Sequence, residues 1–119
     1  IMVSYLGAGT EHGVPEDNPF FAYAEAKAEA DQHLRGTRLE YTILGPGMLT
    51  TEDEGGISVG VDPVYHSDLS SHTPRATVAR VLTEVVDDSS TIGKGIPFTG
   101  GDTEIRQALA QAPSSSQLR

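Results

Sequence analysis

Tyr23 and Lys27 stand four residues apart inside the alanine-rich run Pro19 to Arg35. If that run is a helix, positions four apart share one face. An ammonium beside a phenol favours the phenolate, and a phenol in that setting can pass a proton at neutral pH. Ser4 lies at the tip of the preceding apolar segment, Ile1 to Leu6, where its hydroxyl could orient a substrate carbonyl in the same cleft. The set suits moving a proton while a hydride moves elsewhere. The competing reading packs Tyr23 beneath a sheet and lets Lys27 snorkel to water. The five-residue spacing by itself favours that packing role. The order strand-serine, helix with Tyr-x-x-x-Lys, strand, Pro-Gly favours the chemistry.

Those groups need strands and helices to hold them. Ile1 to Leu6 suits a short buried parallel strand. Gly7 to Asp17 is a loop, and Asn18 followed by Pro19 predicts a capped helix start. Gly36 is its expected C-cap, with Glu25, Glu29 and Gln32 on the wet face. Leu39 to Leu44 is rich in strand formers and is expected to end sharply at Gly45-Pro46-Gly47. After the acidic loop Thr50 to Gly56, Ile57 to Val61 reads as a weak strand and Asp62 to His72 as loop. Thr73-Pro74 predicts the start of a second helix, with an apolar stripe from Ala76 to Val86. Asp87 to Ser90 ends it. Gly95 to Gly100 is a strand that Pro97 should push to a sheet edge. A final helix, Glu104 to Ala110, should be capped by Asp102 or Thr103. Residues 112–119 read as a polar, disordered tail.

Alternating strands and helices imply an α/β fold with a parallel sheet flanked by helices. Three fair strands and a weak one are few for such a sheet. The chain also opens directly on Ile1-Met2-Val3. Both features lead to the expectation that residues 1–111 are the second part of a larger domain.

Composition narrows the functions. The chain has 119 residues, no cysteine and a net charge of −9. Without cysteine there is no disulfide framework, thiolate catalysis or cysteine-bound zinc, which agrees with a cytoplasmic home. The acidity argues against nucleic acid or an anionic membrane as partner. No run of about eighteen apolar residues predicts a membrane span.

Other motifs carry less. Gly7-Ala8-Gly9 follows a strand, but Pro15, Pro19 and the acids Glu11 and Asp17 postpone the helix that a phosphate-binding turn needs. Glu52-Asp53-Glu54 lacks calcium-loop spacing. The histidines, His12, His33, His66 and His72, form no pair at metal-ligand spacing. Gly93-Lys94-Gly95 lacks the rest of a phosphate loop.

Val3-Ser4, Tyr23-x-x-x-Lys27-x-x-x-Asp31-x-x-Leu34-Arg35 and Tyr41 to Leu49 together resemble the second half of the atypical short-chain dehydrogenase/reductases, most closely the NAD(P)-binding, NmrA-like and biliverdin-reductase-B-like branch. Thr77 to Leu82 and Phe98 to Leu109 are similar to that branch's closing elements. Gly45 and Thr77 depart from its pattern, which often has arginine and aspartate there. The resemblance implies a Rossmann-like domain in which Ser4 ends the fifth strand and Tyr23 is the general acid. It implies that Lys27 holds the nicotinamide ribose, and that Pro46, Gly47, Met48 and Leu49 pass beside the nicotinamide. The implied cofactor is NAD or NADP, with NADP favoured, acting on a small-molecule substrate. The implied partners are the first half of the same domain, which carries the pyrophosphate site, and a second copy of the chain. The implied activity is an NAD(P)-dependent oxidoreductase or epimerase. The alternatives are a non-catalytic sensing or partner-binding module, and a piece inactive without its first half.

Overall fold

The computed structural model describes residues 1–9, 12–60 and 72–111. The loop expected over Asp62 to His72 lies outside the described residues except at His72, which is strand, as do the end of the strand at Val61 and the tail from residue 112. β2 (Thr42–Pro46) is buried at every position. It pairs in parallel with β6 (Lys94–Gly101) from Thr42↔Lys94 to Pro46↔Phe98. β1 (Met2–Val3) lies parallel on the other side of β2. That ladder continues past β1, with Ser4 N donating to Leu44 O and Leu6 N to Pro46 O, both at 2.7 Å. β4 (Gly56–Val59) runs antiparallel to β6, so the sheet order is β1-β2-β6-β4.

Alternation along β2 sorts the core onto two faces. Leu44 joins Ile57, Ile96 and Phe98 beneath α2 (Arg75–Val86) and α3 (Ile105–Ala110), which contribute Val78, Val81, Val85, Ile105 and Leu109. Ile43 points the other way, to Ala8, Met2, Tyr5 and Leu34 of α1 (Phe21–Arg35). Ala24 and Ala28 are buried on α1, and alanine is small enough to let a helix approach closely.

Several local expectations are corrected. Pro97 is inside the sheet, not at its edge: β6 is flanked on both sides. The ring is tolerated because paired β4 ends at Val59↔Phe98, and beyond it only Gly60 N reaches the Pro97 carbonyl, at 2.7 Å. Gly45 and Pro46 continue β2 and do not terminate it. Gly47 N then bonds Phe98 O at 2.9 Å, and β3 (Met48–Thr50) follows at once. β3 pairs in parallel with β5 (His72–Pro74), so Thr73-Pro74 is strand and α2 begins one residue later. Pro74 is extended, at φ −60° and ψ 138°. α1 begins at Phe21, because Asn18 Oδ1 accepts from Phe20 N and closes a turn ahead of the helix. Glu104, not Asp102 or Thr103, caps α3 by accepting from Arg106 N and Gln107 N. Thr77 is fully buried, and its Oγ1 accepts from Gly55 N at 3.1 Å, tying the acidic loop to α2.

Candidate active-site cleft

β1 and β2 are parallel, so their carboxyl ends open on the same side of the sheet. In open parallel sheets that is where ligands bind. Ser4 follows β1 directly, and Gly47 follows β2. A cleft of about 530 Å³ lies there. One wall is Val3 to Leu6, and the opposite wall is Pro46 to Leu49. Phe20, just ahead of α1, Tyr23 of its first turn and Val78 of α2 complete the lining. The size suits a small ligand.

Ser4, Tyr23, Pro46, Gly47, Met48 and Leu49 thus line one cleft. Ser4 is 4% exposed, and its Oγ has no hydrogen-bond partner among the described residues. The Tyr23 side is open, with the residue 46% exposed. Lys27 is not in the lining. Its Nζ donates to Val3 O at 2.9 Å, on the cleft's rim, and lies 5.6 Å from the centre of the Tyr23 ring. Ser4 and Tyr23 thus share the cleft lining, and the Lys27 amine lies beside the Tyr23 ring outside that lining. Met48 and Leu49 are exposed where the chain leaves β2.

Sequence reasoning passed over Tyr5 and Phe20. Tyr5, Phe20 and Tyr23 form an aromatic cluster with ring centres 5.0–5.7 Å apart. The Tyr5 hydroxyl is buried and has no partner among the described residues. Burial, and secondarily the neighbouring Tyr23, push its pKa above the ordinary phenol value. The available signal was the i, i+3 spacing of Phe20 and Tyr23 opposite an aromatic at the strand tip.

The glycine turn is not a phosphate site of the usual kind. Gly7 and Gly9 have φ of 103° and 131°, but α1 starts only at Phe21. His12 ties its own segment to α1: its Nδ1 accepts from Val14 N at 2.9 Å, and its Nε2 lies 3.0 Å from Glu25 Oε1 on α1. Two smaller cavities, of about 250 and 320 Å³, are bordered by Glu54 and Glu104 and by Glu52 and Asp53. No cluster of His, Asp and Glu able to hold a metal exists among the described residues. Nor is any described helix long and apolar enough to cross a membrane.

Residues 1–89 match the NAD(P)H-binding family. The chain is 32% identical over 110 residues to the uncharacterized sugar epimerase YhfK of Bacillus subtilis, covering 92% of this chain and 48% of that protein. The crystal structure of the oxidoreductase ylbE from Lactococcus lactis superposes with a TM-score of 0.77 at 31% identity, over 92% of this chain and 49% of that one. A provisionally named NAD-dependent epimerase/dehydratase from Bacillus halodurans gives 0.78 at 35% identity, over 92% and 50%. The chain spans about half the length of these relatives. A parallel-dominated sheet with helices on both faces and a match across its first 89 residues place it: the chain belongs to the NAD(P)H-binding family, with the Rossmann-like fold of its oxidoreductase and epimerase-like relatives.

Proposed function

We propose that this chain carries the substrate-side portion of an NAD(P)-dependent oxidoreductase or epimerase-like protein, with Tyr23 as proton donor. The observation that carries the reading is the shared cleft of Ser4 and Tyr23 at the carboxyl ends of β1 and β2, with the Lys27 amine one helical turn from the phenol. The Pro46–Leu49 backbone suits the nicotinamide end of a dinucleotide. When bound, that group supplies or accepts the hydride. Ser4 orients the substrate carbonyl through Oγ. Tyr23 gives its hydroxyl proton to the developing alkoxide, and Lys27 supports the phenolate that remains. In the oxidising direction the same proton returns to Tyr23.

The relatives' extra length supports a further proposal: the pyrophosphate half of the dinucleotide is held by residues outside this chain, and this chain alone binds the cofactor weakly. The test is cofactor absorbance with NADH and NADPH against a panel of carbonyl compounds, run with and without a co-expressed N-terminal half taken from a full-length relative. Tyr23→Phe should lower turnover by about 10²–10⁴-fold, the usual contribution of a positioned general acid. Unchanged turnover in that variant rules the donor role out.

One observation favours a second reading, a non-catalytic dinucleotide-sensing or partner-binding module of the NmrA-like kind. The Lys27 amine is engaged by a backbone carbonyl, not directed into the cleft. Dinucleotide binding without turnover on any of the carbonyls would select it.

A further inference from the structure

We infer that Tyr5 and Phe20 are positioning residues for Tyr23: their rings hold the Tyr23 ring at the cleft wall, so that sheet and helix together aim the phenol. The inference rests on the proposed donor role of Tyr23 and adds to it the side chains that keep the donor in place.

Tyr23 needs holding. It stands in the first turn of α1, half-exposed, where solvent leaves a side chain free to move between staggered torsions. A proton donor cannot drift in that way, because a misplacement of roughly 1 Å costs about a hundredfold in rate. Two rings lie against it. The centre of Phe20 is 5.0 Å from that of Tyr23, with the planes tilted by 40°. The centre of Tyr5 is 5.7 Å away, tilted by 39°. Tyr5 and Phe20 brace one another edge to face, at 5.3 Å and 78°. These are the spacings of attractive aromatic pairs.

Both neighbours are anchored. Ser4 N and Leu6 N, on either side of Tyr5, donate to β2, so the Tyr5 backbone is tied to the sheet. The Tyr5 side chain packs on the buried pair Ala8 and Ile43. Phe20 N donates to Asn18 Oδ1, and Phe20 O accepts from Ala24 N, both at 2.9 Å. The Tyr5 hydroxyl is buried with no partner among the described residues, so its ring is what steadies Tyr23. Tyr5→Phe keeps that ring, and Tyr5→Leu removes it.

The experiment has two readouts. The first is fluorine NMR of the 119-residue chain labelled with 3-fluorotyrosine, the Tyr23 signal being assigned with Tyr23→Phe. A fluorine held against neighbouring rings is displaced from its position in the free amino acid. The parent Tyr23 signal should be displaced in this way. Tyr5→Leu and Phe20→Leu should each move it towards the free position, and Tyr5→Phe should restore it. Phe20 is half-exposed, so its variant tests the clamp even where Tyr5→Leu fails to fold. The second readout is turnover in the protein reconstituted with its N-terminal half. Each leucine variant should lower kcat about two- to tenfold at unchanged KM, the worth of one aromatic pair, and Tyr5→Phe should recover the rate. A Tyr23 signal at the free position in the parent, or one that both leucine variants leave in place, overturns the inference. So does a rise in KM with kcat unchanged. Intact turnover in Tyr23→Phe ends the donor role while the fluorine result still shows the ring held. An unmoved fluorine signal ends this inference while the donor role stands.

Discussion

Adjacent glycines, Gly55 and Gly56, should respond in opposite ways to the same substitution. A Cβ built on Gly56 would sit 2.3 Å from the Thr103 carbonyl oxygen, 2.9 Å from its carbon and 3.1 Å from the Asp102 carbonyl carbon. Ordinary contact begins at 3.4 Å, and the obstacles are backbone, which cannot swing aside as a side chain would. The Asp102–Thr103 segment would have to retreat from β4. That movement threatens the bond from Ile57 N to Thr103 O, now 2.8 Å, beside a fully buried Ile57. Overpacking costs about 1–3 kcal/mol, and a lost backbone bond about 1 kcal/mol more, so Gly56→Ala should destabilise by roughly 2–4 kcal/mol. A Cβ on Gly55 meets nothing within 4 Å among the described residues, and its φ lies outside the left-handed region. Its N–H bond to Thr77 survives the change. Gly55→Ala should therefore be neutral, or stabilising by up to about 1 kcal/mol through the unfolded chain. Urea denaturation followed by circular dichroism reads both. The Gly56→Ala midpoint should fall by roughly 1–2 M with an unchanged slope. Equal midpoints for the two variants would refute the placement of Thr103 against β4.

Phe98 is fully buried where β6 meets the α2–α3 layer, so Phe98→Ala should cost about 3–5 kcal/mol and broaden or abolish the thermal transition seen by calorimetry. Lys27→Met removes the bond to Val3 O. Because both groups reach solvent, the stability loss should be about 1 kcal/mol or less in a urea melt, while turnover in the reconstituted protein should fall far more steeply than that. The raised Tyr5 pKa makes a pH prediction. The folded state holds that proton more tightly than the unfolded chain, so its stabilising effect is full below the unfolded value near 10 and is lost as pH rises through the higher folded value. Urea midpoints between about pH 9 and pH 11 should fall less in Tyr5→Phe than in the parent chain.

The main elements were legible because each has a pattern that local physics enforces. The alanine run with acids on its outer face makes α1. The stretch Tyr41-Thr42-Ile43-Leu44 before Gly45 leads into β2, and the stripe from Ala76 to Val86 makes α2. The order of those elements also put Ser4, Tyr23 and Pro46–Leu49 on one side. Misread features depend on distant partners. Thr73-Pro74 has the form of a helix cap, and only Leu49 and Thr50 alongside make it a strand. Pro97 signals an edge, and only the early end of β4 excuses it from donating. That the Tyr5 hydroxyl has no partner among the described residues shows only once the chain is folded.

Val3 carries a consequence for strand pairing. Ser4 and Leu6 donate to β2, so the Val3 carbonyl, one residue out of phase, faces away from β2, where no described strand lies. Such margins invite cross-chain pairing, and a positively charged side chain there is a common deterrent. With the Lys27 amine seated on that oxygen, a stranger's backbone must evict a cation before it can zip onto β1. Neutralising Lys27 thus frees that oxygen for any strand that adjoins β1, as well as altering the neighbourhood of Tyr23.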